Sequence, residues 1–513
     1  MKKILLLLVL LNTFLINSQS FEWVKTNPIV FNSSPSLIEY PTTCDIFGNT
    51  YVTGFVNNAY NNTEIYGDLF YTKYDTSGQL LFTKTFAGKA QVYNIQTDSS
   101  GNTYLAIAYI QSLTIDNTTI STANQSPKPI LLKFNSIGAL LWHIDITSYN
   151  STINHFKSIT IDSNDAVYIG YDNYNYSYVK KLDPNGNVLL TIEQQNVSII
   201  SSVSVDNEGY IYTAGSCANS NSRFANVTVP ATFTYNTYVA KYAPSGVYQW
   251  VKFVQDITCP EPQVKAKSQD DVYFSSTLNG PYSFGNITAQ GPNGGYDIFI
   301  TKLNTTGTFQ WVREAPGSGR AFVGKRNFLN LDTSGNVYFV GSTSGTVNWG
   351  NNITTTSTIY QDGLLLKYDS NGTILMAKTA GGSDTDRFDS VTTNNLDAIF
   401  VSGIVRGTSN FDAIQLVEPD PLKFYPILAK INFPNLNSTL FNSKSVVLFP
   451  NPTLDYFYIE NAKMYSKGAI YNILGEKIKD FEINTTPVSV SDLSVGTYII
   501  KLEDNKTFKL IKS

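Results

Sequence analysis

The sequence contains little charge and almost no histidine. Only 15% of its 513 residues are charged, and the net charge is −4 at neutral pH. This composition argues against nucleic-acid binding, which needs a clustered basic face. The two histidines, His143 and His155, have no third ligand or catalytic partner at a suitable spacing. Neither a metal site nor a histidine-based triad is therefore predicted around them.

Long apolar segments are absent beyond the first twenty residues. Lys2 and Lys3, the apolar run after them, and the small residues ahead of Phe21 are typical of a secretory signal, so residues 1–20 are predicted to be a signal peptide. No later segment has 18 uncharged apolar residues, and no membrane span is predicted. The hydrophobic content of 42%, with 33 Tyr and 30 Phe, indicates a folded chain that favours strands over helices.

Two motifs each recur seven times along residues 21–433. The first is Asp-x-x-Gly-Asn-x-Tyr, which is complete in "DTSGNVY" and carries substitutions in other copies. Its Asp and Gly predict the tight turn of a β-hairpin. The second is Lys, an apolar residue, three further residues and Gly, followed by a bulky apolar residue such as Trp142, Trp250 or Trp311. Each copy therefore holds four strands, and the copies average 59 residues (413/7).

These copies, especially "DTSGNVYFVG" and "LLLKYDSNGTIL", resemble the bacterial seven-bladed β-propeller repeat family. The resemblance implies an all-β fold in which four-stranded antiparallel blades are arranged radially. The seventh copy ends after its third strand, whereas "FEWVKT" at 21–26 matches a fourth strand that has no repeat before it. We therefore predict that the N-terminal strand completes the last blade and closes the ring, which removes exposed sheet edges.

The recurring lysine and tryptophan receive structural interpretations. The lysine stems are expected to cover apolar blade surface while their amines reach water. A ring of lysines that binds anionic glycans is the alternative. The tryptophans are expected to be core anchors between neighbouring blades rather than platforms for sugars.

A different module comes after an Asn- and Ser-rich linker at 434–445. Residues 446–513 hold short strands between turn signals, which predicts a small β-sandwich. Through "VVLFPNPT", "IYNILGEKI", "LSVGTYIIKL" and a basic end, this tail resembles the type A C-terminal sorting domain of the type IX secretion system. The resemblance implies export by that machinery across the outer membrane of a Bacteroidetes-type bacterium, cleavage of the tail, and release or attachment at the cell surface. The motif residues that it implies are Pro450, Asn451, Pro452, Gly475, Gly496, Tyr498 and Lys512; ordinary turn and core roles are the alternative.

Antiparallel strand order places the two kinds of blade connection on opposite faces of a propeller. The tight Asp and Gly turns share one face, here called the turn face, and the long loops share the other, the loop face. Loops held by a rigid scaffold commonly bind ligands, so the loop face is the predicted ligand surface, with Tyr282, Tyr296 and Tyr360 as candidate residues. Cys217 and Cys259 also fall on this face, where a disulfide between them is plausible; unpaired thiols are the alternative.

The segment 381–389 of the loop face is acidic. Asp384, Asp386 and Asp389 could contribute oxygen ligands to a calcium ion, although their spacing matches no EF-hand. A solvated acidic loop is the alternative interpretation, and no other cofactor is predicted.

Three functions fit this sequence. The leading hypothesis is a secreted or cell-surface module that binds an extracellular glycan or protein, since no catalytic constellation is apparent. The second is a secreted carbohydrate-active hydrolase or lyase whose site lies at the mouth of the propeller, where two carboxylates would suffice. The third is a structural component of the cell surface.

Overall fold

The computed structural model describes residues 19–26, 40–56, 67–122, 126–146, 155–173, 175–218, 220–255, 261–291, 296–316, 320–357, 360–394, 398–432, 447–449, 451–460, 467–483, 487–502 and 507–513. The chain divides into two compact units, Met1–Phe433 and Pro434–Ser513. Among the described residues, no helix is long and apolar enough to cross a membrane.

By their antiparallel pairing, the described strands of the first unit group into successive sets of four, numbered here as blades one to seven. Blades one and two share the long strand Leu80–Thr97, which pairs on one part with Gly67–Tyr74 and on the other with Thr103–Ile115. Blade one consists of Thr42–Cys44, Thr50–Val56, Gly67–Tyr74 and the first part of Leu80–Thr97. Blade two consists of the second part of Leu80–Thr97, followed by Thr103–Ile115, Lys128–Phe134 and Leu140–Asp145. Blade three consists of His155–Ile161, Val167–Asp172, Tyr176–Leu182 and Val188–Gln195.

Blades four to seven keep the same order. Blade four consists of Ile199–Val205, Ile211–Ala218, Tyr235–Tyr242 and Tyr248–Gln255, and blade five of Gln263–Ser268, Asp271–Leu278, Asp297–Leu303 and Phe309–Arg313. Blade six consists of the interrupted first strand Arg320–Val323 and Leu329–Leu331, then Val337–Ser344, Asp362–Tyr368 and Ile374–Gly382. Blade seven consists of Arg387–Thr393, Ile399–Arg406, Phe424–Asn432 and Ser20–Thr26. The last of these is the N-terminal strand, which pairs with the third strand of blade seven.

The long connections between second and third strands contain short strands of their own. These are Thr118–Ser121 in blade two, Ser222–Phe224 and Val227–Val229 in blade four, Tyr282–Phe284 and Ile287–Ala289 in blade five, Thr346–Gly350 and Ile353–Thr356 in blade six, and Thr408–Phe411 and Ile414–Val417 in blade seven. Those of blades four and seven pair with the fourth strand of the preceding blade. They therefore cover part of that outer edge.

The recurring Asp organises the tight turn, and blade two is an example. One carboxylate oxygen of Asp98 accepts hydrogen bonds from the backbone N–H groups of Ser100 and Asn102 at 3.0 and 2.9 Å. The other oxygen accepts from the hydroxyl of Tyr104 at 3.2 Å. Gly101 completes the turn with a φ of +75°, a conformation that glycine adopts without a Cβ penalty. The motif thus ties a hairpin turn to a buried aromatic residue.

The recurring lysine joins neighbouring blades. The amine of Lys133 lies 3.5 Å from Asp98, stands over the ring of Tyr104, and donates to the carbonyl of Pro184 in the turn of the next blade at 3.0 Å. Equivalent bonds run from Lys73 to Ser136, from Lys302 to Ser370 and from Lys430 to Thr76. The structural interpretation of these lysines fits this geometry, but for the buried Lys73 and Lys133 the expectation that the amine reaches water was wrong. A turn carbonyl of the next blade replaces water as their partner.

In six blades, the bulky residue of the fourth strand packs near the glycine of the next blade's turn. A Cβ at Gly307 would lie 2.8 Å from the ring of Trp250. Trp23 of the N-terminal strand makes the same contact with Gly78 of blade one, where a Cβ would lie 2.9 Å from its ring. The contact between blades seven and one is therefore of the same kind as the contact between blades four and five.

The hydrophobic core lies between adjacent blades. One cluster joins Trp23, Phe400 and Leu428 of blade seven to Val52 and Phe70 of blade one. Other clusters join blades one and two, two and three, three and four, and four and five, and a larger one spans blades five to seven. The first strands contact one another in cyclic order around a central channel. These features confirm the predicted all-β propeller architecture.

The second unit is a small sandwich. Val447–Phe449, Tyr456–Glu460 and Val488–Ser489 form one sheet, and Lys477–Glu482, Lys467–Asn472, Gly496–Leu502 and Thr507–Lys512 form the other, in that spatial order. Phe457 of the first sheet and Ile470, Ile500 and Leu510 of the second are fully buried in one shared core. Alternating apolar residues on each strand supply the inner faces of the two sheets.

Candidate functional site

The central channel widens into a cup of about 460 Å³ where the first strands of the blades reach the tight turns. Its walls are the ends of these strands and the first residues of the adjoining turns, so the cup opens on the turn face. The volume falls within the roughly 300–1,000 Å³ typical of ligand pockets. The polar and charged lining residues on first strands include Gln96, Thr160, Ser204, Lys265, Lys267 and Asn330.

Five of these residues occupy one position of the repeat. Each stands eight residues before the aromatic residue of its own Asp motif. In blades two, three, four and six this position holds the neutral polar residues Gln96, Thr160, Ser204 and Asn330. In blade five it holds Lys265. The first-strand position that points into the channel is therefore polar around the ring and carries a charge in a single blade of these five.

Lys265 is half-buried in the cup. Within the described part of the chain its amine has no hydrogen-bond or ion-pair partner, in contrast to Lys267, which donates to the carbonyl of Thr333 at 2.7 Å. The surrounding protein disfavours the charged ammonium and lowers the pKa of Lys265 to about 8. The amine is thus a hydrogen-bond donor, largely cationic at neutral pH, whose charge no other described residue compensates.

Other cup residues also retain hydrogen-bonding capacity. Neither Gln96 nor Thr160 uses its side chain in a hydrogen bond with another described residue. Ser204 accepts from the backbone of Ala266 at 3.0 Å, and the side-chain oxygen of Asn330 accepts from the backbone of Leu331 at 2.9 Å. The hydroxyl of Ser204 and the amide nitrogen of Asn330 are left as donors. The cup can therefore offer both donors and acceptors to a polar ligand.

Side chains cross the channel nearer the loop face. The amides of Asn94 in blade two and Asn327 in blade six exchange two hydrogen bonds, at 3.1 and 2.9 Å. Glu261 forms ion pairs with both Lys157 and Arg326, the latter at 2.6 Å. Arg326 and Asn327 reach the channel because residues 324–328 interrupt the first strand of blade six between Arg320–Val323 and Leu329–Leu331. Access to the cup is therefore from the turn face.

The sequence analysis named none of the cup residues, because its leading hypothesis placed the ligand surface on the opposite face and its alternative at the propeller mouth named no residues. The signal that could have revealed it is the repeat itself. Aligning the copies on their motif aromatic residue places Lys265 in a column of neutral polar residues. The same alignment places Glu261 and Arg326 at one position, twelve residues before the motif aromatic residue, whereas Asn94 stands ten residues before its own.

The three tyrosines predicted on the loop face have different surroundings. Tyr282 is half-buried, donates its hydroxyl to the carbonyl of Phe253 at 3.1 Å, and packs edge-on against Phe284. Burial raises the pKa of its phenol. Tyr296 and Tyr360 are 40% and 52% exposed. Tyr282 is thus engaged in packing the loop, whereas Tyr296 and Tyr360 are exposed.

The three aspartates predicted as calcium ligands have separate partners. Asp386 accepts hydrogen bonds from the backbone of Gly382 and Arg406, at 2.9 and 3.0 Å. Asp389 is buried in an ion pair with Arg387, and Asp384 lies 3.3 Å from the guanidinium of Arg406. Among the described residues, no group of three His, Cys, Asp or Glu side chains is arranged to hold a metal ion. The calcium site stays a prediction that this geometry does not support.

The buried carboxyl of Asp386 should make stability depend on pH. Burial raises its pKa to about 7, against about 3.9 in an unfolded chain. Between these values the folded state holds a proton that the unfolded state has lost, so this stabilising contribution is present at low pH and disappears as pH rises towards 7. The melting temperature of Asp386→Asn relative to wild type should therefore increase by a few degrees between pH 5.5 and pH 8 in thermal scans. Asp384→Asn, a partly exposed residue of the same loop, is the control, and a parallel trend in both variants would contradict the assignment.

The predicted disulfide involves one described residue. Cys217 is buried near the end of the second strand of blade four. Cys259 lies outside the described residues, so its pairing with Cys217 stays a prediction.

Three motif residues of the second unit lie on or beside its last strand. The amide of Asn451 donates to the carbonyl of Lys509 at 2.7 Å and accepts from the backbone of Ile511 at 2.8 Å. Gly496 pairs with Lys512, whose own side chain is buried. Pro452 comes directly after Asn451, and Pro450 lies outside the described residues. Thus Asn451, Gly496 and Lys512 share one end of the sandwich.

The remaining motif residues have local roles. Gly475 adopts a φ of +84° in the turn between Lys467–Asn472 and Lys477–Glu482. Tyr498 is buried and donates its hydroxyl to the carbonyl of Ser494 at 2.8 Å. Turn and core roles therefore apply to these residues together with any role in sorting.

Comparison with known proteins identifies the second unit. Residues 447–513 match the family model described as the secretion system C-terminal sorting domain. No curated protein matches the chain.

Solved structures resemble the propeller only weakly. The Dos1 propeller has a TM-score of 0.39 at 9% identity, covering 81% of this chain and 96% of its own. BBS1N, in a structure of its complex with ARL6DN, has a TM-score of 0.40 at 8% identity, covering 82% and 98%. A protein of unknown function from Bacteroides caccae has a TM-score of 0.34 at 9% identity, covering 64% and 93%. The match of residues 447–513 to a secretion system C-terminal sorting domain implies that the protein is exported to the cell surface or secreted.

Proposed function

We propose that the exported propeller is a binding module that takes an extracellular ligand, a glycan or a segment of protein, into the cup on its turn face. The observation that supports this proposal is the cup of about 460 Å³, to which several blades contribute polar side chains with free donors and acceptors. Because these side chains stand on strands of a closed core, the site is preorganised and little entropy is lost on binding.

The experiment compares variants of the two faces. Gln96→Ala with Thr160→Val removes two cup side chains that make no hydrogen bond within the described fold. Tyr296→Ser with Tyr360→Ser is the matched control on the loop face. Each purified protein is passed over a panel of immobilised polysaccharides and extracellular proteins. We expect the cup variant to lose retention and the loop-face variant to keep it.

The other outcomes assign a different function. Loss of retention only in the loop-face variant would place the ligand on the predicted tyrosine surface and overturn the cup assignment. Retention that a chelator abolishes would support calcium binding at Asp384, Asp386 and Asp389. Absence of retention on every member of the panel would favour a structural role at the cell surface.

A second candidate function is a secreted hydrolase or lyase at the same cup. The observation that favours it is the amine of Lys265, which lines the cup without a partner among the described residues; burial lowers its pKa to about 8, and such an amine can serve as a general base. New reducing ends in the polysaccharide panel, absent with Lys265→Met, would establish this activity and replace the binding proposal.

A further inference from the structure

Blade five contributes two cationic side chains to the cup at positions where other blades carry none. Lys265 stands in the column otherwise made of the neutral polar residues Gln96, Thr160, Ser204 and Asn330. Lys267 stands six residues before Tyr273, the position that Asp98, Asp206 and Asp332 occupy in their own motifs. A neutral residue and a carboxylate are thus both replaced by lysine in one blade.

The carboxylate within the cup does not neutralise these lysines. Asp332 accepts from the amide of Asn336 at 2.7 Å and from the hydroxyl of Tyr338 at 3.0 Å, and it lies 3.4 Å from Lys367. It is therefore occupied by its own turn and by the motif lysine of its own blade. The cup as a whole is positively charged, although the protein carries a net charge of −4.

We propose that the ligand of this cup is a carbohydrate that bears a carboxylate, in which the carboxylate contacts Lys265 and the sugar hydroxyls contact Gln96, Thr160 and Asn330. This inference rests on the proposed binding function of the cup. An ammonium that lacks a partner in a protein-walled site gains most from an anionic ligand. Amide and hydroxyl side chains both donate and accept, as adjacent hydroxyls of a sugar require.

A sugar fits better than an acidic peptide. The apolar lining is limited to Val205, Ala266 and Leu331, which lie among polar residues and leave little surface for the side chains of a peptide. Bound peptides commonly use aromatic or aliphatic anchors in apolar pockets.

The test is calorimetric titration of the purified protein with trigalacturonate and with its neutral methyl ester. The two probes present the same hydroxyl pattern and differ in the charge that faces Lys265. We expect wild type to bind the acid at least roughly tenfold more tightly than the ester, as expected for a charge pair in a partly enclosed site. Lys265→Met should reduce this preference to within about twofold. Lys84→Met, which removes a partly exposed lysine paired with Asp116, should leave it unchanged.

Other outcomes separate this inference from the binding function. Equal affinity for acid and ester, lost in the Gln96→Ala and Thr160→Val variant, would overturn the carboxylate inference and leave the binding function standing. Binding of a hexaglutamate peptide in place of both sugars would overturn the sugar inference alone. Failure of all three probes, together with no effect of the cup variant on the wider panel, would overturn both. Thermal unfolding of Lys265→Met verifies that it is folded, and its melting temperature should not fall because the substitution removes a desolvated charge.

Discussion

Replacing Trp23 with alanine should lower the free energy of unfolding of the propeller by about 3–5 kcal/mol, the usual cost of deleting a buried tryptophan side chain. Trp23 is only 7% exposed and packs against Tyr74 of blade one and Phe400 of its own blade. It also lies against Gly78 in the contact that joins the last blade to the first. The loss should appear in urea denaturation followed by far-ultraviolet circular dichroism, which does not depend on tryptophan fluorescence.

The control for this prediction lies on the same strand. Glu22 pairs with Lys430 at 2.8 Å, but its side chain is 36% exposed, and exposed ion pairs contribute at most about 1 kcal/mol. Glu22→Gln should therefore lower the free energy of unfolding by less than that amount. If Trp23→Ala were no more harmful than Glu22→Gln, the N-terminal strand would not be an essential part of the ring.

The second large effect is expected at the Asp motif. Asp98→Ala should destabilise the propeller by about 3–5 kcal/mol, because removing one partner leaves the other charge buried and uncompensated. The side chains of Asp98 and Lys133 are only 3% and 8% exposed, and Tyr104 would lose its hydrogen-bond acceptor as well. Urea denaturation of the single variants Asp98→Asn and Lys133→Met and of the double variant would give the coupling between the two side chains.

Asp75→Ala is the matched control for this second prediction. Asp75 accepts the same pair of backbone hydrogen bonds in its own turn, from Ser77 and Gln79 at 2.9 and 2.8 Å, but on the surface. Its replacement should cost about 1 kcal/mol. Equal losses for Asp98→Ala and Asp75→Ala would mean that the turn alone, and not its link to the neighbouring blade, stabilises the structure.

Much of the fold could be predicted because the motifs act locally. An Asp followed by Gly specifies a tight hairpin through hydrogen bonds within five residues, as Asp98 and Gly101 illustrate. Seven copies of such hairpins pointed to radial blades, and the isolated "FEWVKT" strand pointed to the partner that it has in Phe424–Asn432. The sorting motifs of the tail were recognised in the same way, since their order along the chain is their signature.

The candidate site was harder to predict because its residues belong to different repeats. Gln96 and Lys265 lie 169 positions apart, and both enter the cup only because the blades form a ring. The exposed loops attracted attention as a ligand surface, yet the cup opens beside the tight turns. The amines of the motif lysines were expected in water for a similar reason: the carbonyl that binds Lys133 is that of Pro184, in the next blade.

The amino-acid sequence by itself therefore determined the hairpins, the number of repeats, the isolated closing strand and the sorting tail. Each of these depends on interactions between residues that are close in the chain or on the order of short motifs. Only the tertiary structure decided which side chains face the channel, that Asn94 and Asn327 cross it, and that Lys265 stands without a partner in the described cup. The physical reason is that burial and charge compensation depend on every blade around the ring, whereas a turn depends on a few neighbouring residues.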